Sequence, residues 1–94
     1  MSRNRFSART DSNEKDIVKA LRKLGYSVET NHDDILVGAN GLTYWFEIKT
    51  PDCVSKKTGK IKESAKKESQ KILEKTWKGQ YKIVSSLEEI LEII

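Results

Sequence analysis

An α/β domain with the element order α-β-β-β-α-β-α is what this 94-residue sequence predicts, and three observations predict it. Apolar residues recur at helical spacing in three stretches. Between them, apolar and polar residues alternate as strands require. The stretches are punctuated by Gly25, Asn40-Gly41, Pro51 and Gly79. A chain of this length makes one domain near the small end, where a single core gives modest stability and association between chains is a common remedy.

Residues 1–10 carry Arg3, Arg5 and Arg9 with neither an acid nor an apolar period, so a basic flexible arm is expected ahead of a single domain over 11–94. Asp11 followed by Glu14 reads as a capping pair. Ile17, Val18, Leu21 and Leu24 then share one helix face until Gly25 stops the helix. Tyr26 to Thr30 is a short strand, and Asn31-His32 a turn. Asp33 and Asp34 lead into Ile35-Leu36-Val37-Gly38, and Asn40-Gly41, both tolerant of positive φ, folds that strand onto residues 42–50. Pro51 ends the second strand. Residues 52–62, with Gly59 and four lysines, lack an apolar period and read as a flexible basic loop. A helix is expected from Glu63 to Lys78, packing through Ala65, Ile72, Leu73 and Trp77 and terminated by Gly79. Tyr81 to Val84 is the last strand. Ser86 and Glu89 form a capping box for a closing helix that uses Leu87, Ile90, Leu91 and Ile94.

Composition narrows the function. With 36% hydrophobic and 34% charged residues, and no apolar run near the roughly 20 residues that span a bilayer, a soluble intracellular protein without membrane contact is expected. One cysteine, Cys53, and one histidine, His32, exclude an internal disulfide and the usual Cys/His zinc site. The net charge of +4 is unevenly spread: residues 49–82 hold eleven lysines against four acids, whereas residues 11–48 are acidic overall. A basic arm and a lysine-dense half flanking an acidic hairpin suit a polyanion beside a cation site. A merely solvated lysine face is the competing reading.

Chemistry concentrates in that hairpin. Strand alternation projects Glu47 and Lys49 to one side and Phe46 and Ile48 to the other, and the turn brings Asp34 to the same place. Two carboxylates suit a hard divalent ion such as Mg²⁺, and a neighbouring ammonium suits the charge on a phosphate under attack. Glu14 lies on the apolar side of the first helix, as either a cap or an inward ligand. Other residues also stay open between two roles. Glu47 and Lys49 also fit an exposed edge strand. Trp45 either packs or touches DNA, and Trp77 reads as core. His32 is either incidental or a base, and Gln70 is either a surface amide or part of the site. Lys56, Lys57, Lys60 and Lys62 either contact DNA or are solvated.

Taken in order, Glu14, Asp34 before Ile-Leu-Val-Gly, Glu47-Ile48-Lys49-Thr50, Gln70, Gly79 before Tyr81-Lys82-Ile83-Val84, and Ser86-Leu87-Glu88-Glu89 resemble the PD-(D/E)xK nuclease superfamily. Within it they resemble the VRR-NUC domains found alone in bacteriophages and within larger DNA-repair proteins, across residues 12–92. The resemblance implies a restriction-endonuclease-like fold with a small mixed sheet flanked by helices. It implies Asp34, Glu47 and the Ile48 carbonyl as ligands of Mg²⁺ or Mn²⁺, with Glu14 supporting them. Lys49 would then orient the attacking water, and Gln70 would reach a phosphate or that water. Asp33 stands where the family has proline and remains a rival to Asp34.

The function so implied is metal-dependent hydrolysis of DNA phosphodiesters by direct attack of water, most specifically by a homodimeric Holliday-junction resolvase. Arg3, Arg5, Arg9 and the four loop lysines would contact DNA, and for a phage-encoded protein the compartment would be the host cytoplasm. A flap, single-strand or general endonuclease uses the same residues. A non-catalytic DNA-recruitment module and a structural protein with an accidental E-x-K string are the readings from other classes.

Overall fold

The computed structural model describes residues 5–31 and 34–94, with side chains from Asn13 onward among them. Arg3, His32 and Asp33 lie outside the described residues, and Arg5 and Arg9 are described in backbone alone. Among the described residues there are three α-helices and four strands: α1 (Arg5–Lys23), β1 (Ser27–Asn31), β2 (Asp34–Ala39), β3 (Leu42–Ile48), α2 (Glu68–Thr76), β4 (Gln80–Val84) and α3 (Leu87–Ile93), an α/β arrangement. The strands form one mixed sheet in sequence order, antiparallel from β1 to β3 and parallel between β3 and β4. Among the described residues, no helix is long and apolar enough to cross a membrane.

Helix α1 begins well before the expected start near Asp11, so residues 5–10 are helical in backbone and Asp11 lies inside the helix rather than at its cap. Once Ile17, Val18 and Leu21 dock on the sheet, extending a formed helix backwards costs little where no glycine or proline intervenes. Its C-terminus matches expectation. The Tyr26 N–H donates to the Leu21 carbonyl and the Gly25 N–H to the Arg22 carbonyl, the paired bonds of a Schellman ending. Leu24, expected on the apolar face, falls at that ending and is exposed.

The β2–β3 hairpin sets the geometry of everything else. Asn40 and Gly41 take φ values of 56° and 81°, as a type I′ turn requires. The register that follows opposes Asp34 to Glu47, Ile35 to Phe46 and Leu36 to Trp45. Because side chains alternate, one face of the sheet carries Ile35, Val37, Tyr44, Phe46, Ile48 and Val84. These pack with Ile17, Val18 and Leu21 of α1 and Ile90 of α3 into the core. The other face carries Asp34, Trp45, Glu47, Tyr81 and Ile83, and is the side to which the short helix α2 belongs.

The basic segment is more ordered than expected. It opens with a 3-10 turn at Pro51–Cys53 and closes into a small loop through the Val54–Ile61 bridge. The Ser55 N–H donates to the Lys60 carbonyl and the Lys62 N–H to the Cys53 carbonyl, while the Ser55 hydroxyl accepts from the N–H groups of Lys57 and Thr58. These bonds replace the apolar period that the segment lacks.

The helix expected over Glu63–Lys78 is broken. A 3-10 turn at Glu63–Ala65 is followed by extended backbone at Lys66 and Lys67, and only then by α2. At the break Lys66 bonds Glu63 behind it and Glu74 ahead of it, each at 3.0 Å. Burial works to lower the Lys66 pKa, but hydrogen bonds from the two carboxylates outweigh it and the net shift is upward. Helix α2 ends at Thr76 with Trp77 in extended backbone, so Gly79 is not its terminator, and Ile72 is exposed rather than packed. In α3, the Ser86 hydroxyl accepts from the Glu89 N–H, and the Glu89 carboxylate accepts from both the N–H and the hydroxyl of Ser85. This is the expected box with its return bond displaced by one residue.

Candidate metal and phosphate site

Asp34 and Glu47 are direct cross-strand partners, so their carboxylates leave the same face of the sheet from neighbouring positions. The indole N–H of Trp45 donates to Asp34 Oδ2 at 2.8 Å, orienting that carboxylate while leaving its second oxygen for another use. Lys49 follows two residues after Glu47. Its N–H extends the parallel pairing by donating to the Val84 carbonyl at 2.7 Å, so the strand's alternation still holds at Lys49. The Asn13 amide donates to the Lys49 carbonyl at 3.0 Å and pins α1 to the end of β3. Glu14, the next residue, thereby comes to the same end of the sheet.

Burial separates these residues from ordinary surface charges. Among the described residues the buried polar or charged side chains are Glu14, Glu47, Gln70 and Ser85. Three of the four are residues singled out from sequence. Ser85 is accounted for by its bonds to Glu89. Gln70 has a structural task as well, since its amide oxygen accepts from the Lys67 N–H at 3.0 Å and starts α2. With its oxygen committed there, the amide N–H groups are what Gln70 has to offer an anion, which favours a phosphate oxygen over a water that must donate.

A hard divalent cation fits this donor set in one way. Among the described residues no three His, Cys, Asp or Glu side chains group closely enough to hold an ion. The facing pair of Asp34 and Glu47 provides two carboxylates, a count that suits Mg²⁺ or Mn²⁺ completed by water and phosphate and excludes a closed protein cage. The side chain of Ile48 is buried in the core on the opposite face, so only its carbonyl is available to such a site.

Two aromatic residues enter the site differently from the sequence reading. Trp77, expected in the core, is 50% exposed and lies edge-on to Trp45 at 5.0 Å, while Trp45 also stands edge-on to Tyr81 at 4.8 Å. A β-carbon on Gly79 would stand 3.0 Å from the Trp77 Nε1, so the indole passes closely over the glycine and a larger residue would make it shift by a few tenths of an ångström. Tyr81 was missed as a site residue because its direction depends on the parallel register, which opposes it to Trp45. Its hydroxyl is buried without a hydrogen-bond partner. Burial first, then the negative charges of Glu47, Glu74 and Asp34, push its pKa up to about 12.

The folded protein therefore holds the Tyr81 proton through a pH range in which the unfolded chain releases it. The stability so gained is complete below about pH 10 and is lost as pH rises towards 12. Spectrophotometric titration in the near ultraviolet tests this. Subtracting the Tyr81→Phe curve from the parent curve should leave one tyrosinate transition near pH 12, and a difference transition near 10 would place the hydroxyl in solvent.

The basic loop hangs from the end of β3 and exposes Lys56, Lys57, Lys60 and Lys62. Its root is held by the Thr50 hydroxyl, which donates to Asp52 and holds that carboxyl below its usual range. Comparison with family models, curated proteins and solved structures finds no match for this chain.

Proposed function

We propose that the chain is a metal-dependent DNA endonuclease of the PD-(D/E)xK type, acting on branched DNA as a homodimer. The observation that carries this reading is the register pairing of Asp34 with Glu47, on a face that also bears Trp45 and Tyr81. The VRR-NUC resemblance supports the same residues in the same roles.

Mg²⁺ or Mn²⁺ held by Asp34, Glu47 and the Ile48 carbonyl would supply Lewis-acid polarisation of the phosphate. Trp45 keeps Asp34 oriented for that purpose through its indole hydrogen bond. Lys49 orients the attacking water and offsets negative charge on the pentacoordinate phosphorus. Gln70 donates its amide N–H groups to a non-bridging phosphate oxygen, and Glu14 closes the site from α1. Attack is by water. The hydroxyl of Tyr81 is held protonated by burial and by the neighbouring carboxylates, which makes it a poor nucleophile. Lys56, Lys57, Lys60 and Lys62 would steer the strand towards β3, and Arg3, Arg5 and Arg9 would add backbone contacts.

Cutting both strands of a four-way junction needs two sites related by a two-fold axis, which a homodimer supplies. Ile90 belongs to the core, leaving Leu91 and Ile93 of α3, each 39% exposed, as apolar surface for such an interface. The test is cleavage of a labelled immobile four-way junction in Mg²⁺ or Mn²⁺, with duplex and flap DNA as competitors. The parent should give paired symmetrical nicks, and Lys49→Ala should cut at least about a hundredfold more slowly while still binding. Tight binding without cleavage in either metal would refute the enzyme reading.

A further inference from the structure

Against the carboxylate pair, on the β1 side, the sheet face opens into a cleft of about 330 Å³ walled by Glu29, Thr30, Asp34, Leu36, Trp45 and Trp77. Its lining is mostly apolar. Leu36 and Trp77 are 45% and 50% exposed, so two large apolar side chains face solvent here. Trp77 is nevertheless held, edge-on against Trp45 on one side and close over Gly79 on another. A rigid indole with half its surface open presents a stacking surface at little entropic cost.

We propose that this cleft takes an unpaired nucleobase of the bound DNA strand, stacked on Trp77, next to the phosphate held at Asp34 and Glu47. The inference rests on the nuclease reading for the identity of the strand, and it deepens that reading by naming what the enzyme grips. Three observations select a base over other occupants. Glu29, Thr30 and Asp34 contribute polar groups to a mostly apolar lining, as hydrogen-bonding the amino and imino groups of a base requires. The volume lies at the lower end of the range for small-molecule sites and suits a planar ring system rather than a folded peptide segment. Lys78 follows Trp77 directly and is exposed, so a solvated cation adjoins the stacking residue in the chain, as a nucleotide backbone favours.

Asp34 both lines the cleft and opposes Glu47, so the stacked base and the attacked phosphate belong to the same or adjacent nucleotides. A base locked in a duplex cannot enter, whereas an unpaired nucleotide at a branch can. Stacking is tolerant of sequence because every base has a π face, so the cleft selects for lack of pairing rather than for a base.

The experiment measures binding without divalent metal, where nothing is cut. It uses an end-labelled duplex with one unpaired nucleotide, the same duplex with an abasic residue at that position, and a fully paired control. The parent should bind the unpaired-base duplex about tenfold more tightly than the abasic one. Trp77→Ala should abolish that ratio and Trp77→Phe should keep most of it. Leu36→Glu, a change at an exposed lining position, should abolish it independently of any effect of Trp77 on folding. Lys49→Ala should keep the ratio. Equal affinity of the parent for unpaired-base and abasic duplexes, or a ratio that survives both Trp77→Ala and Leu36→Glu, overturns the proposal even if junctions are cut. A Trp77-dependent ratio in a protein that cuts nothing supports the cleft and removes the nuclease reading.

Discussion

Glu47→Gln is expected to slow metal-dependent cleavage of a branched duplex by on the order of a thousandfold, the upper range for deleting one group that stabilises developing charge. The substitution keeps the size and shape of the side chain at a buried position and removes its charge. Asp34 stays opposite, still oriented by Trp45, so the loss isolates one carboxylate of the pair. Single-turnover cleavage with enzyme in excess separates this from weaker DNA binding. Raising Mn²⁺ should recover part of the rate if the defect lies in cation affinity. Cleavage by Glu47→Gln at the parent rate would remove the residue from the reaction.

The largest effect on stability is expected at the neighbouring residue. Phe46 is 1% exposed, opposes Ile35 across the hairpin and lies parallel to Tyr44 at 6.0 Å between ring centroids. Phe46→Ala removes the largest of the fully buried side chains and leaves a cavity, at a cost of about 3–5 kcal/mol. A domain of this size has about 5–15 kcal/mol in total, so the variant should lose a large share of its stability and its unfolding midpoint should fall sharply. A urea or thermal melt followed by circular dichroism reads this directly. Because Phe46 and Glu47 leave the same strand in opposite directions, a loosened core also loosens the site.

Features governed by local chemistry were legible in the sequence. Asn40-Gly41 dictated the turn, the turn dictated the register, and the register brought Asp34 to Glu47. Gly25, Ser86 and Glu89 marked helix ends through hydrogen bonds to residues a few positions away. What escaped depended on distant partners. The expected helix is interrupted at Lys66 and Lys67, where Lys66 also pairs with Glu74, eight residues on in α2. The loop over residues 53–62 is tied by backbone bonds that carry no composition signal. Trp77 looked like core because it follows Leu73 at helical spacing, but the helix ends at Thr76 and the ring swings onto Trp45. Gln70 was read as a surface amide or as reaching a phosphate or the attacking water, whereas its oxygen also starts a helix.

The central claim is that Asp34 and Glu47 together bind a divalent cation, and direct Mn²⁺ binding without DNA tests it most closely. Free Mn²⁺ would be followed by electron paramagnetic resonance for the parent, Asp34→Asn, Glu47→Gln, the double variant and Asp33→Asn. The pair predicts that either single substitution at Asp34 or Glu47 removes most of the binding, that the double variant loses little more, and that Asp33→Asn retains it. Unchanged Mn²⁺ binding in the Asp34→Asn, Glu47→Gln double variant would contradict the claim.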